Sequence, residues 1–213
     1  MKNFQTRPSF EETTPPMEVP RPVPAFSLSG SLSPFLLAPM VLTVLVALFA
    51  PADILDMWPW ARRFTIWVRQ TLPFMPLHVH AESTTYSQVA LLTHCLTLTV
   101  IPIASLIWSL QAIVNYPLLL ARRHALGRLE IKHHLMVLMV MPLLMLGSVY
   151  FFMALPGDPS FSKGITTHSR IGFAFFSFAA MYGTSAVLGG QLLNIRLFID
   201  TYLRVERKEN GNR

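Results

Sequence analysis

The sequence predicts an all-α integral membrane protein: a four-helix transmembrane bundle with an outer interfacial helix and a disordered proline-rich N-terminal tail. Two observations predict this fold class. Of the 213 residues, 52% are hydrophobic and only 13% are charged. Four stretches contain no Asp, Glu, Lys or Arg, and each is long enough to cross a hydrocarbon core of about 30 Å as a helix. These stretches are residues 22–52, 83–121, 133–157 and 171–195.

The N-terminal tail, residues 1–32, is predicted to be extended or disordered. It is rich in proline, serine, threonine and glutamate, a composition that buries little apolar surface. Such a tail can lie along a partner subunit, and a solvated tail is the alternative. Because the first 33 residues lack a basic start that leads into an apolar run, we expect no cleavable signal and a first span that stays as an anchor.

The first two spans are placed at about residues 33–52 and 84–115. Pro34 suits a first helical turn, and Pro39 is expected to bend the first helix. The second span follows a serine that is a plausible N-cap, and Pro102 predicts a kink within it. Its charge-free run is longer than one crossing needs, so we expect the chain to leave the membrane just after residue 114.

The other two spans are placed at about residues 134–155 and 167–193. The fourth is followed by a basic C-terminal tail, residues 196–213, that begins as an amphipathic continuation of the helix. The region from residue 33 to residue 195 is therefore one membrane domain, which leaves little chain for a soluble domain.

An interfacial helix is predicted at about residues 57–70, in the loop between the first two spans. Apolar residues recur there at three- and four-residue spacing, with arginine and glutamine opposite them. The apolar set is Met57, Trp60, Ala61, Phe64, Trp67 and Val68. Indole rings prefer the headgroup level of a bilayer. Trp58 and Ile66 depart from this stripe, so the helix could also pack on another protein.

The distribution of basic residues predicts the orientation. Twelve Lys and Arg residues lie on the side of the two termini, and five lie on the other side. Such an excess marks the cytoplasmic side of a membrane. We therefore predict a multi-pass protein of a bacterial inner membrane, or its topological equivalent, with both termini cytoplasmic. The net charge of +6 is assigned to contacts with membrane lipids, and nucleic acid is set aside as a partner.

The apolar spans contain few groups that could carry chemistry. They lack Asp and Glu, which argues against a proton-coupled transporter or an intramembrane protease built on carboxylates. The single cysteine, Cys95, has no partner thiol for a disulfide. No catalytic constellation is visible, so the chain is at most an electron-transfer protein.

Haem b is the metal cofactor that this bundle could hold, because haem iron needs only two axial imidazoles and a slot between helices. His94 on the second span and His168 near the outer end of the fourth are the candidate ligands of the iron. His94 lies roughly 16 Å inside its span, whereas His168 lies close to a helix start, so the two depths match only if tilt or a kink corrects them. The alternatives are (bacterio)chlorophyll, whose magnesium a single histidine can ligate, structural burial of His94, and no cofactor at all.

Residues 133–190 carry a weak motif of five parts. A histidine at a basic helix start, His134, is followed by an apolar span, by a Gly/Pro/Phe loop at 157–161, and by a His-x-x-x-Gly opening from His168 to Gly172. A helix rich in small residues, including Gly183 and Gly190, completes it. This arrangement resembles the last two helices of four-helix membrane proteins related to cytochrome b561.

The resemblance implies a haem-bearing electron-transfer bundle with His94 and His168 as axial ligands and His134 as a further cofactor-binding candidate. The first span has no histidine to pair with His134. A second haem is therefore not implied.

Two functions follow. The first is a b-type cytochrome-like membrane electron-transfer subunit between a quinone-pool enzyme and an outer-side partner. The alternative is a non-catalytic accessory or assembly subunit of a larger respiratory or photosynthetic membrane complex. It would contact other membrane-protein subunits through its proline-rich tail, its tryptophan-rich helix and a small-residue face on the fourth span. That face contains Ala179, Gly183, Ala186 and Gly190.

Overall fold

The computed structural model describes residues 21, 23–118, 131–154 and 168–199. No strand occurs among these residues, which confirms the all-α class. The helices are α1 (Pro34–Phe49), α2 (Ile54–Met57), α3 (Pro59–Thr71), α4 (Leu77–Glu82), α5 (Ser87–Val114), α6 (Ile131–Ala154) and α7 (Arg170–Phe198). The predicted loop at 157–161 and most of the two terminal tails lie outside the described residues.

Three helices, α5, α6 and α7, are long and apolar enough to cross a membrane, which indicates a membrane protein. Helix α1 is also apolar, but its 16 residues extend only about 24 Å. That length is short of a hydrocarbon core of about 30 Å. The coarse architecture is therefore a helical membrane protein with three long apolar helices, and the fourth crossing stays a prediction.

Helices α5 and α7 lie side by side at the centre of the bundle. The Ser185 hydroxyl donates to the Ile101 carbonyl at 3.2 Å, and the Ser109 hydroxyl donates to the Gly189 carbonyl at 3.1 Å. Because these contacts advance in the same direction along both helices, α5 and α7 run parallel. Helix α1 packs on both of them, and α6 packs on α7 and on the short α4.

The two ends of the bundle differ in what covers them. At the loop end, α2, α3 and α4 lie against α5, and the start of α7 meets the end of α1. At the tail end, residues 23–33 lie against α5, and the ring of His134 at the start of α6 contacts that of Phe198 at the end of α7, with centroids 5.8 Å apart. Helices α1 and α6 therefore run antiparallel to α5 and α7.

The predicted interfacial helix is present but is broken near its start. Trp58 has extended backbone angles (φ −118°, ψ 98°) and separates α2 from α3. The reason is the next residue, Pro59, because proline disfavours the helical conformation of the residue before it and itself suits a first helical turn.

Residues 23–33 form successive turns, although residues 1–32 are predicted to be extended or disordered. Backbone N–H groups of Ser27 and Gly30 donate to carbonyls three residues earlier, and Leu32 N–H donates to Ala25 O at 2.7 Å. Side chains of α5 hold the segment from outside: Gln111 donates to Leu28 O and Asn115 donates to Ser29 O, both at 2.8 Å. The prediction for residues 23–32 was wrong because these long-range hydrogen bonds leave no signal in local composition.

Candidate functional site

His94 lies at the meeting point of three helices. Its side chain on α5 is fully buried. Its imidazole makes edge contacts with Phe152 of α6 and Phe173 of α7, at centroid distances of 5.5 and 5.4 Å. The two phenylalanine rings also stack on each other at 6.1 Å. The surroundings of His94 are thus a packed aromatic cluster. A macrocycle bound to His94 would have to displace these rings.

His168 lies nearer the loop end than His94 does. It is exposed and precedes α7. The next residue, Ser169, accepts a hydrogen bond from the Tyr86 hydroxyl at 3.3 Å through its carbonyl. Tyr86 precedes His94 by about two helical turns, and Phe173, which contacts His94, follows His168 by five residues. The two histidines are therefore offset by roughly 8–12 Å along the bundle axis.

The other candidate ligands do not converge on His94. His134 lies at the tail end against Phe198, and His78 is exposed in α4. His124 lies outside the described residues. In the part of the chain that the structure describes, no group of three or more His, Cys, Asp or Glu side chains could hold a metal ion.

The chain was compared with protein-family models, with curated proteins and with solved structures. None of them matches. The resemblance to proteins related to cytochrome b561 therefore stays a prediction, and the site has to be interpreted from its own geometry.

A haem held by two histidines does not fit this geometry, because its axial ligands must reach opposite sides of one iron atom. We expect purified protein, expressed with ample haem, to show no Soret and α bands in a reduced-minus-oxidised spectrum. The control is the same protein in membranes before purification, which reports haem lost during detergent extraction. Bands that disappear in both His94→Ala and His168→Ala would contradict the offset and restore the electron-transfer hypothesis.

A network of polar contacts organises the loop end. The Arg170 guanidinium donates to the carbonyls of Leu48 and Ala50 at the end of α1, at 3.3 and 2.5 Å. It also lies over the ring of Tyr86, 5.5 Å from the centroid. Gln88 accepts from Leu55 N–H at 2.8 Å. These contacts tie α1, α2, α5 and α7 together at the ends of the apolar helices that meet at the loop end.

Tyr86 is the residue of this network with a shifted pKa. It precedes α5, and burial raises the pKa of its phenol to about 12, while the positive charge of Arg170 acts in the opposite direction. The neutral phenol is therefore favoured in the folded protein. Its contribution to stability is complete below about pH 10 and is lost as the pH rises through about 12.

Sequence reasoning missed the residues at which α5 and α7 approach most closely. The predicted small-residue face of α7 is loosely packed: a Cβ at Gly183 would meet only the Met145 sulfur at 4.0 Å, and one at Gly190 would meet nothing within 4 Å. The close approach occurs at Gly189, where a Cβ would overlap Trp108 and lie 2.7 Å from the Ser105 carbonyl oxygen. Gly189 is adjacent to the stripe in sequence but points about 100° away from it.

Proposed function

We propose that this chain is a non-catalytic accessory subunit of a larger membrane complex, and that it docks on a partner subunit through an aromatic surface at its loop end. The observation that carries the proposal is the exposure of three indole rings, one just before helix α3 and two on it, although α3 itself is held against the bundle. Trp58, Trp60 and Trp67 are 42%, 54% and 56% exposed. We call these three side chains the tryptophan surface.

Helix α3 is held against the bundle by a different face. Ala61, Thr65 and Val68 are buried there. At about 100° per residue, Trp60 and Trp67 lie about a third of a turn to one side of that face. The arginines of α3 at positions 62 and 69 lie roughly a quarter turn to the other side. The helix therefore offers one aromatic edge and one basic edge, as expected for a helix at a membrane interface.

The tryptophan surface is preorganised. Trp58 stacks on Trp60 with centroids 5.7 Å apart, and Trp67 stacks on Phe64 at 6.2 Å. The preceding helix is fixed by Gln88, whose amide donates to Asp56 at 2.5 Å. Rings already held in place lose less conformational entropy when a partner binds. Tryptophan is also enriched among residues that dominate binding energy at protein interfaces.

Polar side chains elsewhere in the described bundle support an architectural role. Ser109 and Ser185 join α5 to α7, Gln111 and Asn115 hold the segment 23–33, and Arg170 binds the end of α1. Each of these side chains donates to a backbone carbonyl. Their hydrogen bonds thus fix helices and turns relative to one another.

The test is the size of the native assembly after the tryptophan surface is removed. In mild-detergent extracts of native membranes, the unaltered chain should migrate well above its own 24.0 kDa. The double variant Trp60→Ala/Trp67→Ala should migrate mainly as free chain, because each interfacial tryptophan is expected to contribute about 2 kcal/mol or more to binding. Native gel electrophoresis with immunodetection measures the distribution.

The matched control is Ile66→Ala, which truncates another exposed apolar side chain of α3 that lies about 100–120° around the helix from Trp60 and Trp67. Ile66 is 46% exposed. This variant should stay in the assembly. Migration of the unaltered chain as a monomer, or an unchanged assembly in the double variant, would reject the proposal. The second outcome would assign the indole rings to lipid headgroups instead.

A further inference from the structure

Helix α3 carries three arginines and no acidic residue. The side chains of Arg62, Arg63 and Arg69 are all exposed. Arg63 Nε donates to the carbonyl of Pro59, one turn earlier, at 3.4 Å. In the part of the chain that the structure describes, neither Arg62 nor Arg69 forms an ion pair with a carboxylate. The positive charge of this helix is therefore open to an anion from outside the chain.

Arg62 and Arg69 share one edge of α3, which we call the basic edge. They are seven residues apart, so they lie on the same side of the helix, two turns and about 10.5 Å from each other along the axis. Arg63 lies about 100–120° around the helix from both. Trp60 and Trp67 lie about 140–180° away from the basic edge. A ligand can therefore occupy the basic edge while the tryptophan surface is covered by another molecule.

The basic edge belongs to a helix that lies beside the ends of the apolar helices. Phe64 of α3 packs against a buried cluster that contains Ala47 near the end of α1 and Val89, Ala90 and Leu92 of α5. These three α5 residues lie in its first two turns, and α5 is a candidate membrane span. The ends of membrane-spanning helices lie at the headgroup regions that border the hydrocarbon core. The arginines of α3 are therefore placed within reach of lipid headgroups.

The chemistry of the arginine side chain indicates which headgroup fits. A guanidinium group is always charged, and its planar fork matches the oxygen atoms of a phosphate. A headgroup with a phosphate and no ammonium keeps its full negative charge, whereas the ammonium of a zwitterionic headgroup offsets that charge. Basic residues on interfacial helices are accordingly attracted to anionic lipids.

We propose that the basic edge binds the phosphate groups of anionic phospholipids, with Arg62 and Arg69 as the residues that contact them. An acidic surface of a partner protein is the other occupant that the charge would allow. The lipid is favoured because the edge lies beside the ends of the apolar helices and faces away from the tryptophan surface. The proposal thus adds a lipid site that is separate from the docking surface.

Photocrosslinking of the purified full chain in bilayer nanodiscs of dioleoyl phosphatidylcholine tests the proposal. The two probes are a phosphatidylglycerol and a phosphatidylcholine, each with a diazirine in one acyl chain close to the glycerol and each present at the same low mole fraction. Peptide mass spectrometry measures the labelling of α3. We expect the phosphatidylglycerol probe to label α3 about tenfold more than the phosphatidylcholine probe.

Variants link the labelling to the basic edge. Arg62→Gln/Arg69→Gln should lower labelling by the phosphatidylglycerol probe about tenfold, because each arginine near a membrane surface strengthens the attraction to anionic lipids. The matched control is Arg21→Gln/Arg63→Gln, which removes the same formal charge from two exposed arginines outside the basic edge. This control should keep the labelling of α3. Far-UV circular dichroism of each variant confirms that it is folded.

Equal labelling by the two probes would overturn the proposal, and so would full labelling of the folded Arg62→Gln/Arg69→Gln protein. An equal loss in both double variants would also overturn it, because net charge alone would then explain the labelling. If Arg62→Gln/Arg69→Gln leaves the native assembly but keeps its label, the basic edge contacts an acidic partner instead. The crosslinking needs no partner protein, so the lipid site and the docking proposal fail or hold separately.

Discussion

Replacing Gly189 by alanine is expected to lower the free energy of unfolding more than the same replacement at Gly183 or Gly190. The new Cβ would overlap Trp108 Cβ and lie 2.7 Å from the Ser105 carbonyl oxygen. Neither neighbour is the free end of a flexible side chain, so α5 and α7 would have to separate. Added atoms in a closely packed interface typically cost about 1–3 kcal/mol.

Separation of the two helices should also lengthen the hydrogen bond from Ser109 to the Gly189 carbonyl, which is 3.1 Å in the structure. The measurement is unfolding in mixed micelles of rising SDS content, followed by far-UV circular dichroism. Gly190→Ala is the matched control, since it adds the same methyl group one residue away in open space. It should be neutral or slightly stabilising, because alanine is favoured over glycine in a helix by about 0.5–1 kcal/mol.

Equal stability of the two alanine variants would show that α5 and α7 do not approach each other at Gly189. The parallel arrangement of the two helices would then have to be reconsidered, because the contact from Ser109 is one of the two hydrogen bonds that define it.

The positions of the long helices could be predicted because the signal for an apolar helix is local. A run without charged residues must avoid water, whatever its neighbours are. The break before α3 also had a local signal, the proline at position 59, but the apolar stripe across it was interpreted as one helix. The residues of this apolar stripe also differ in exposure: Ala61 and Val68 are buried, whereas Trp60 and Trp67 are exposed.

The predicted haem site required His94 and His168 to lie at the same depth in the membrane. Sequence spacing does not determine the relative depth of residues on different helices. His94 and His168 were expected to approach each other from one side of the membrane. Helix α5 begins at Ser87, later than predicted, because α4 and a turn occupy the preceding residues. Even so, the bond from Tyr86 to Ser169 fixes the start of α7 level with the start of α5, so the offset between the histidines persists.

The fold of the segment 23–33 was beyond prediction for a different reason. Its carbonyls accept hydrogen bonds from distant side chains, those of Gln111 and Asn115 on α5. Gly30 makes that fold possible, since a Cβ there would overlap the carbonyl oxygens of Pro24 and Ala25. A proline-rich composition shows that a segment buries little apolar surface, but it does not reveal a distant side chain that orders the segment.

Arg170→Met is the second substitution for which we expect a large effect. It removes the guanidinium that binds the carbonyls of Leu48 and Ala50 at the end of α1. A cation at a helix C-terminus is also favoured by the helix dipole. Hydrogen bonds to a charged group contribute about 1.5–3 kcal/mol, so the free energy of unfolding should fall by roughly that amount. The SDS titration used for Gly189 measures it.

The pKa of the Tyr86 phenol detects the loss of the Arg170 charge independently of the free energy of unfolding. Its pKa, about 12, is raised by burial and lowered in part by the charge of Arg170. Loss of that charge should therefore move the pKa of Tyr86 further upward. Ultraviolet absorbance of the phenolate during alkaline titration follows the five tyrosines, and Tyr86→Phe identifies the late phase.

Two further variants separate the charge of Arg170 from its geometry. Arg170→Lys keeps a positive charge but replaces the planar guanidinium, whose Nη1 donates to both carbonyls, by an ammonium on a shorter side chain. It should therefore lose stability while the late tyrosine phase stays near its original pH. Arg63→Met removes an exposed arginine of α3 and should change neither quantity. A late phase that does not move in Arg170→Met would place the guanidinium away from the Tyr86 ring, and unchanged stability would show that the end of α1 is held by other contacts.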